Sequence, residues 1–225
     1  MNTLHFIAKG TNYVNTLISI KDLVKDNFDL VIHTDETDRV EKHFKNADVR
    51  KYNEHIFRYF DKYTLTYQVT VEKQKPVMYI DVGRISVTFM TNLPDFDENK
   101  ISELYIPQHW GSVRTAKDLV GIRMQYFEDG YWDNVLDYFK KTIKLQRIVP
   151  SLERVFVMPY NTDMQKVIKE LEDIRELFEN NSKSKQHVYK GIGNGEGLAL
   201  GYALAKLNIK SHDLLRLPIK TKSTI

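Results

Sequence analysis

Four short apolar runs that do not alternate with polar residues constrain this chain most. They are Leu4-His5-Phe6-Ile7-Ala8, Asp29-Leu30-Val31-Ile32-His33, Val77-Met78-Tyr79-Ile80 and Arg154-Val155-Phe156-Val157-Met158. A strand with one solvated face alternates apolar and polar residues. A strand without that alternation is covered on both faces, which is the condition of a parallel sheet between helices. Turn signals bound the runs: Gly10, the polar stretch Thr34-Asp35-Glu36-Thr37-Asp38, Pro76 with Gly83, and Pro159.

Helical spacing fills the intervals. Val14, Leu17, Ile18, Ile20, Leu23 and Val24 form one apolar face over Val14 to Lys25. Met164, Val167, Ile168, Leu171, Ile174, Leu177 and Phe178 form another, with Thr162 or Asp163 as the expected cap and Asn180-Asn181-Ser182-Lys183-Ser184 as the stop. Trp132, Val135, Leu136, Phe139 and Ile143 predict a helix over Tyr131 to Lys144. The stretch His55 to Lys73 carries both helical spacing and β-branched residues. It is read as a helix, because a strand of that length is unusual. Alternating strands and helices predict an α/β fold: one Rossmann-like domain with a mainly parallel sheet flanked by helices.

Composition serves mainly to exclude. The chain has 225 residues, which fits one large domain or two small ones at roughly 100–200 residues each. It has no cysteine, so disulfides, thiolate metal sites and cysteine nucleophiles are excluded. Lys plus Arg number 33 against 30 Asp plus Glu, an excess too small to make nucleic acid the default partner. No apolar run approaches the ~20 residues of a membrane span, and no secretory leader is expected, so a cytoplasmic protein is. The domain is expected over residues 1–205. A basic segment follows over 206–225, with Lys206, Lys210, Arg216, Lys220 and Lys222 against the single acid Asp213. That segment reads as a solvated tail or as a contact for an anionic partner.

Several features could carry chemistry. The run ending in Asp81-Val82-Gly83 delivers a carboxylate to the carboxyl end of a strand, where open α/β sheets bind ligands. Such a carboxylate holds a divalent cation or simply opens a turn. Asp35, with Glu36 and Asp38, stands at the same edge and can accept hydrogen bonds from a ribose or a base, or cap a helix. Gly191-Ile192-Gly193-Asn194-Gly195-Glu196-Gly197 leads into a small-residue helix and allows close approach of backbone to ligand. It is neither a dinucleotide fingerprint nor a phosphate-binding P-loop. His109-Trp110-Gly111 supplies an aromatic wall suited to a sugar face or to a core turn.

The order of these features resembles the GT-A class of nucleotide-sugar glycosyltransferases. It runs from a first strand with Gly10-Thr11-Asn12-Tyr13, through a second ending in Thr34-Asp35-Glu36 and Val-Met-Tyr-Ile-Asp-Val-Gly, to Trp-Gly and Gly-Glu-Gly. The resemblance implies transfer of a sugar from a nucleoside-diphosphate sugar, a UDP-sugar first among donors, to a hydroxyl acceptor. It places Ala8, Lys9 and Gly10 near the nucleotide, Asp35 against base or ribose, and Lys62 on sugar or phosphate. Asp81 becomes the first acid of an Asp-x-Asp motif that holds Mn2+ or Mg2+, with Val82 beside it. Trp110, Gly111 and Gly195 line the donor sugar or acceptor, and Glu196 becomes the general base. Gly83 stands where the second motif acid belongs. The implied metal then needs Asp81 together with His187, His212 or Asp213, or else Arg84 neutralises the diphosphate in its stead. A catalytically inert binding relative and a sugar transferase acting on a modified DNA base are the alternatives.

Overall fold

Asn2–Ala8 (β1) is buried along its whole length, because it pairs in parallel with a neighbour on each side. Those neighbours are Phe28–Thr34 (β2) and Val77–Asp81 (β4). The computed structural model describes residues 1–24, 28–53, 60–84, 87–107, 155–180 and 195–220. In these, a seven-stranded sheet runs β3-β2-β1-β4-β6-β5-β7. Its other members are Asp48–Lys51 (β3), Leu104–Tyr105 (β5), Val155–Met158 (β6) and Ser211–His212 (β7). β6 is antiparallel to both β4 and β5, and the remaining pairings are parallel. The protein is thus a single α/β domain with a mainly parallel, mixed sheet.

The helices are Thr11–Ser19 (α1), Thr37–Glu41 (α2), Asp61–Lys73 (α3), Val87–Thr91 (α4), Thr162–Asn180 (α5) and Gly195–Lys206 (α6). From β1 the chain steps outward through α1 to β2; from β3 it steps back through α3 to β4. Right-handed crossovers in opposite directions put α1 and α3 on opposite faces. One core cluster accordingly joins Leu4, Phe6, Ile32, Met78 and Ile80 to Val14 and Leu17 of α1. A second joins Ile7, Tyr79 and Phe156 to α3, α5 and α6. Ala199 and Ala203 of α6 are fully buried there, which lets that helix approach closely.

The helix expected over His55 to Lys73 is observed from Asp61 onward; 54–59 lie outside the described residues. Its threonines are compatible with a helix because their hydroxyls bond back to the backbone. Thr66 Oγ1 donates to the carbonyl of Lys62 at 2.5 Å and Thr70 Oγ1 to that of Tyr67 at 2.7 Å. The helix expected over Tyr131 to Lys144 falls outside the described residues.

Three expectations change. The expected helix from Val14 onward begins at Thr11 and ends at Ser19, where a 3-10 turn follows over Lys21–Leu23. The cap of α5 is neither Thr162 nor Asp163: Asn161 Oδ1 accepts the backbone N–H of Met164 at 2.8 Å. The basic segment is no separate tail through residue 220. Its Ser211–His212 adds β7 to the sheet, and Lys220 N–H donates to Asp95 O at 2.9 Å. Lys206 pairs with Glu170 at 2.6 Å and Lys220 with Asp95 at 2.8 Å. Among the described residues, no helix is long and apolar enough to cross a membrane.

Candidate functional site

The strand order reverses between β1 and β4. Chain leaving β1 moves toward β2, and the sheet grows from β4 in the other direction. Connections diverge at such a switch point and leave a crevice outside the carboxyl ends of the two strands. The segments at that crevice are Ala8-Lys9-Gly10 and Asp81-Val82-Gly83, since Ile7 pairs with Asp81.

Gly10 has φ 83°, a conformation that L side chains avoid, and the space where a Cβ would point is open to 4 Å. Its N–H donates to Asp35 Oδ1 at 2.8 Å, and Asp35 Oδ2 lies 3.4 Å from the Lys9 ammonium. Asp35 therefore ties the end of β2 to the end of β1 with both oxygens. Thr11 continues the seam, donating to Glu36 at 2.8 Å, and Arg39 donates to the same carboxylate at 2.9 Å. The Thr11 hydroxyl, and then Arg39, hold the Glu36 carboxyl below its ordinary range. Ala8 itself is fully buried.

Asp81 does open a turn: its Oδ1 accepts the Gly83 N–H at 2.8 Å. A Cβ on Gly83 would lie 2.6 Å from Cε1 of Tyr13, whose ring is seated against the glycine. Val82 is buried beneath this turn. Among the described residues, the side chains near Asp81 do not complete a metal site on their own. No group of three His, Asp or Glu side chains gathers among the described residues. His212 is not a partner for Asp81, which corrects that pairing. It stands on β7, three strands from β4 or about 14 Å, and it contacts Glu103. Asp213 follows it and accepts the N–H of Leu215 at 3.1 Å. His187, Trp110 and Gly111 lie outside the described residues, and Arg84 and Glu196 are placed by backbone alone. Gly195, expected in a loop, opens α6. Lys62 lies in the first turn of α3, 3% exposed, with its ammonium 5.2 Å from the centre of the Tyr63 ring.

Sequence reading missed a polar shelf beside this crevice. Tyr52, one residue past β3, donates to the buried Asp61 at the start of α3 at 2.5 Å. Arg175 of α5 lies 3.8 Å from the same carboxylate, and Lys9 stands 5.7 Å from the centre of the Tyr52 ring. Only the fold brings residues 9, 52, 61 and 175 together. The one sequence signal is Tyr52 itself, an aromatic just beyond a charged segment.

Deeper on the same face, His5 bonds Thr66 Oγ1 through Nδ1 and His33 Nδ1 through Nε2, each at 2.8 Å. Thr66 has spent its hydroxyl proton on Lys62 O, so it accepts from His5. His5 Nε2 then accepts from His33, and both rings are neutral. Burial first, then the neighbouring ring and Arg50, push His5 well below its ordinary value. Burial and then Arg50 lower His33 to about 4. Two concavities of about 210 and 240 Å3 lie elsewhere, beside Phe28 and Phe44 and beside the start of α5, and hold none of the expected site residues.

No protein-family model matches the chain, and no curated protein does. Among solved structures, a CMP:2-keto-3-deoxy-manno-octonic acid synthetase in complex with CTP aligns over 95% of this chain and 89% of its own. The TM-score is 0.44 and the identity 8%.

Proposed function

We propose that this protein binds a nucleoside-diphosphate sugar across the carboxyl ends of β1 and β4 and transfers the sugar to a hydroxyl acceptor. One observation carries the reading. The sheet reverses its strand order where a positive-φ glycine, Gly10, and a strand-end carboxylate, Asp81, face each other across the two central strands. In this reading the open backbone at Gly10 admits the nucleotide, and Asp35 orients ribose or base. Trp110, Gly111 and Gly195 line the sugar or acceptor side, Arg84 meets the diphosphate, and Glu196 takes the proton of the attacking hydroxyl.

The test is a thermal-shift and turnover screen against UDP-, GDP- and other activated sugars, with and without Mn2+. A ligand that binds only the folded chain raises its melting temperature. A panel in which none shifts the melt and none is hydrolysed refutes the proposal.

A second reading, binding without turnover, is favoured by the engagement of Asp81 in its own turn with Gly83. It expects melting shifts with no product, and no loss of binding in Asp81→Asn. Turnover that this substitution abolishes rules it out. A DNA acceptor draws less support from the basic segment than its charge suggests, because Lys206 and Lys220 are paired with Glu170 and Asp95.

A further inference from the structure

We infer that this crevice receives the phosphates of its ligand on Lys9, without a divalent cation at Asp81. The inference rests on the nucleotide reading above for its ligand, but its metal half stands on the residues alone.

Position 83 is the first observation. The Gly83 backbone does not lie in the left-handed region, so the conformation admits any residue. What fills the place of a side chain is the Tyr13 ring, 2.6 Å from where a Cβ would sit. The glycine therefore seats an aromatic ring where a second metal-binding carboxylate would start. Asp81 is the second observation. Its Oδ1 accepts the Gly83 N–H, so the carboxylate is already engaged in its own turn. Mg2+ and Mn2+ ask for about six oxygen ligands, which one or two carboxylates complete only with water and the ligand's own phosphates, so Asp81 alone holds no resident cation.

Lys9 is the third. It lies two residues beyond Ile7, the partner of Asp81, and just past the end of β1. Its side chain is 20% exposed, with the ammonium held 3.4 Å from Asp35 and above the Tyr52 ring. An ammonium has three donors, so one fixed at the mouth of the crevice can meet a phosphate oxygen while it keeps its contact with Asp35. Asp35 and Tyr52 keep it in place before a ligand arrives.

The experiment has two arms on the full chain. In the first, Mn2+ is titrated without nucleotide and followed by electron paramagnetic resonance. The free-ion signal is expected to stay undiminished by equimolar protein. Mn2+ binding that Asp81→Asn removes would overturn the metal half. In the second, UDP, GDP, CDP and ADP are titrated by calorimetry in Mn2+ and in EDTA, with Lys9→Met and Lys9→Arg confirmed as folded by circular dichroism. Affinity in EDTA is expected within about twofold of that in Mn2+, to weaken about tenfold or more in Lys9→Met, and to stay within about threefold in Lys9→Arg. Binding that requires Mn2+, or that Lys9→Met leaves unchanged, overturns the inference. If no nucleotide binds at all, the nucleotide reading falls and the Lys9 assignment with it. The Mn2+ arm still decides the claim about Asp81.

Discussion

On one face of β1, Leu4, Phe6 and Ala8 meet Ile32, Met78 and Ile80 in an apolar cluster. On the other face of the same strand, His5 is equally inaccessible, yet it sits in a chain that runs from His33 through His5 and Thr66 to the carbonyl of Lys62. Both faces are dry, but they are held differently. The apolar face depends on volume and shape. The polar face depends on every donor finding an acceptor, and on both rings staying neutral. The candidate site continues from the polar face, through Lys9, Asp35, Tyr52 and Asp61.

Three measurements can break or sharpen this contrast. The largest effect is expected on the apolar face. Phe6→Ala removes a fully buried ring and should cost about 3–5 kcal/mol in urea unfolding. A loss below about 1 kcal/mol would mean that this face is not close-packed.

Next comes acid. His5 and His33 both bind protons less readily in the folded chain than in the unfolded one. Between the ordinary value of 6.5 and about 4, the unfolded state therefore holds more protons, and stability falls as pH falls. The slope should be about 1.4 kcal/mol per pH unit for each histidine. The double variant His5→Leu/His33→Leu should lose that slope while keeping stability near neutral pH. An unchanged slope in urea melts at pH 7, 6 and 5 would show that other groups set the acid limit.

The smallest effect belongs to the solvent rim of the polar face. Arg50 bridges Asp48 and Glu72, each at 2.6 Å, but those carboxylates are 41% and 50% exposed. Arg50→Met should cost less than about 1 kcal/mol. Because the guanidinium lowers the pKa of His33, its removal should raise that value, read by NMR titration of the ring. A pKa that stays put would separate the rim from the buried chain.

The apolar runs announced β1, β2, β4 and β6 because strands buried on both faces are mostly apolar, with His5 and His33 as paired exceptions. β3, with Asp-Val-Arg-Lys, and the two-residue β5 and β7 carry no such signal. They exist because a neighbouring strand offers unpaired backbone groups, which composition does not record. The site divides in the same way. Lys9, Gly10, Asp35 and Asp81 were legible as residues at strand ends. The seating of Tyr13 on Gly83, and the meeting of Tyr52, Asp61 and Arg175, depend on register and crossover, which no local pattern encodes. The histidines offered a partial clue: His5 and His33 both interrupt apolar runs, but nothing local says that their nitrogens meet.

The reversed strand β6 has a consequence for reach. A helix that follows a parallel strand starts at the carboxyl edge of the sheet and runs away from it. α5 follows a strand that points the other way, so it sets out from the amino edge and travels toward the crevice. From Thr162 to Arg175 it advances about 20 Å, close to the length of a seven-residue strand. Arg175 meets Asp61 because the helix is long enough to cross the sheet. Removing one turn ahead of Arg175 would withdraw it by about 5.4 Å and leave Asp61 beyond its grasp. The length of α5 before Arg175 is thus a ruler, read at the far end against the Asp61 carboxylate.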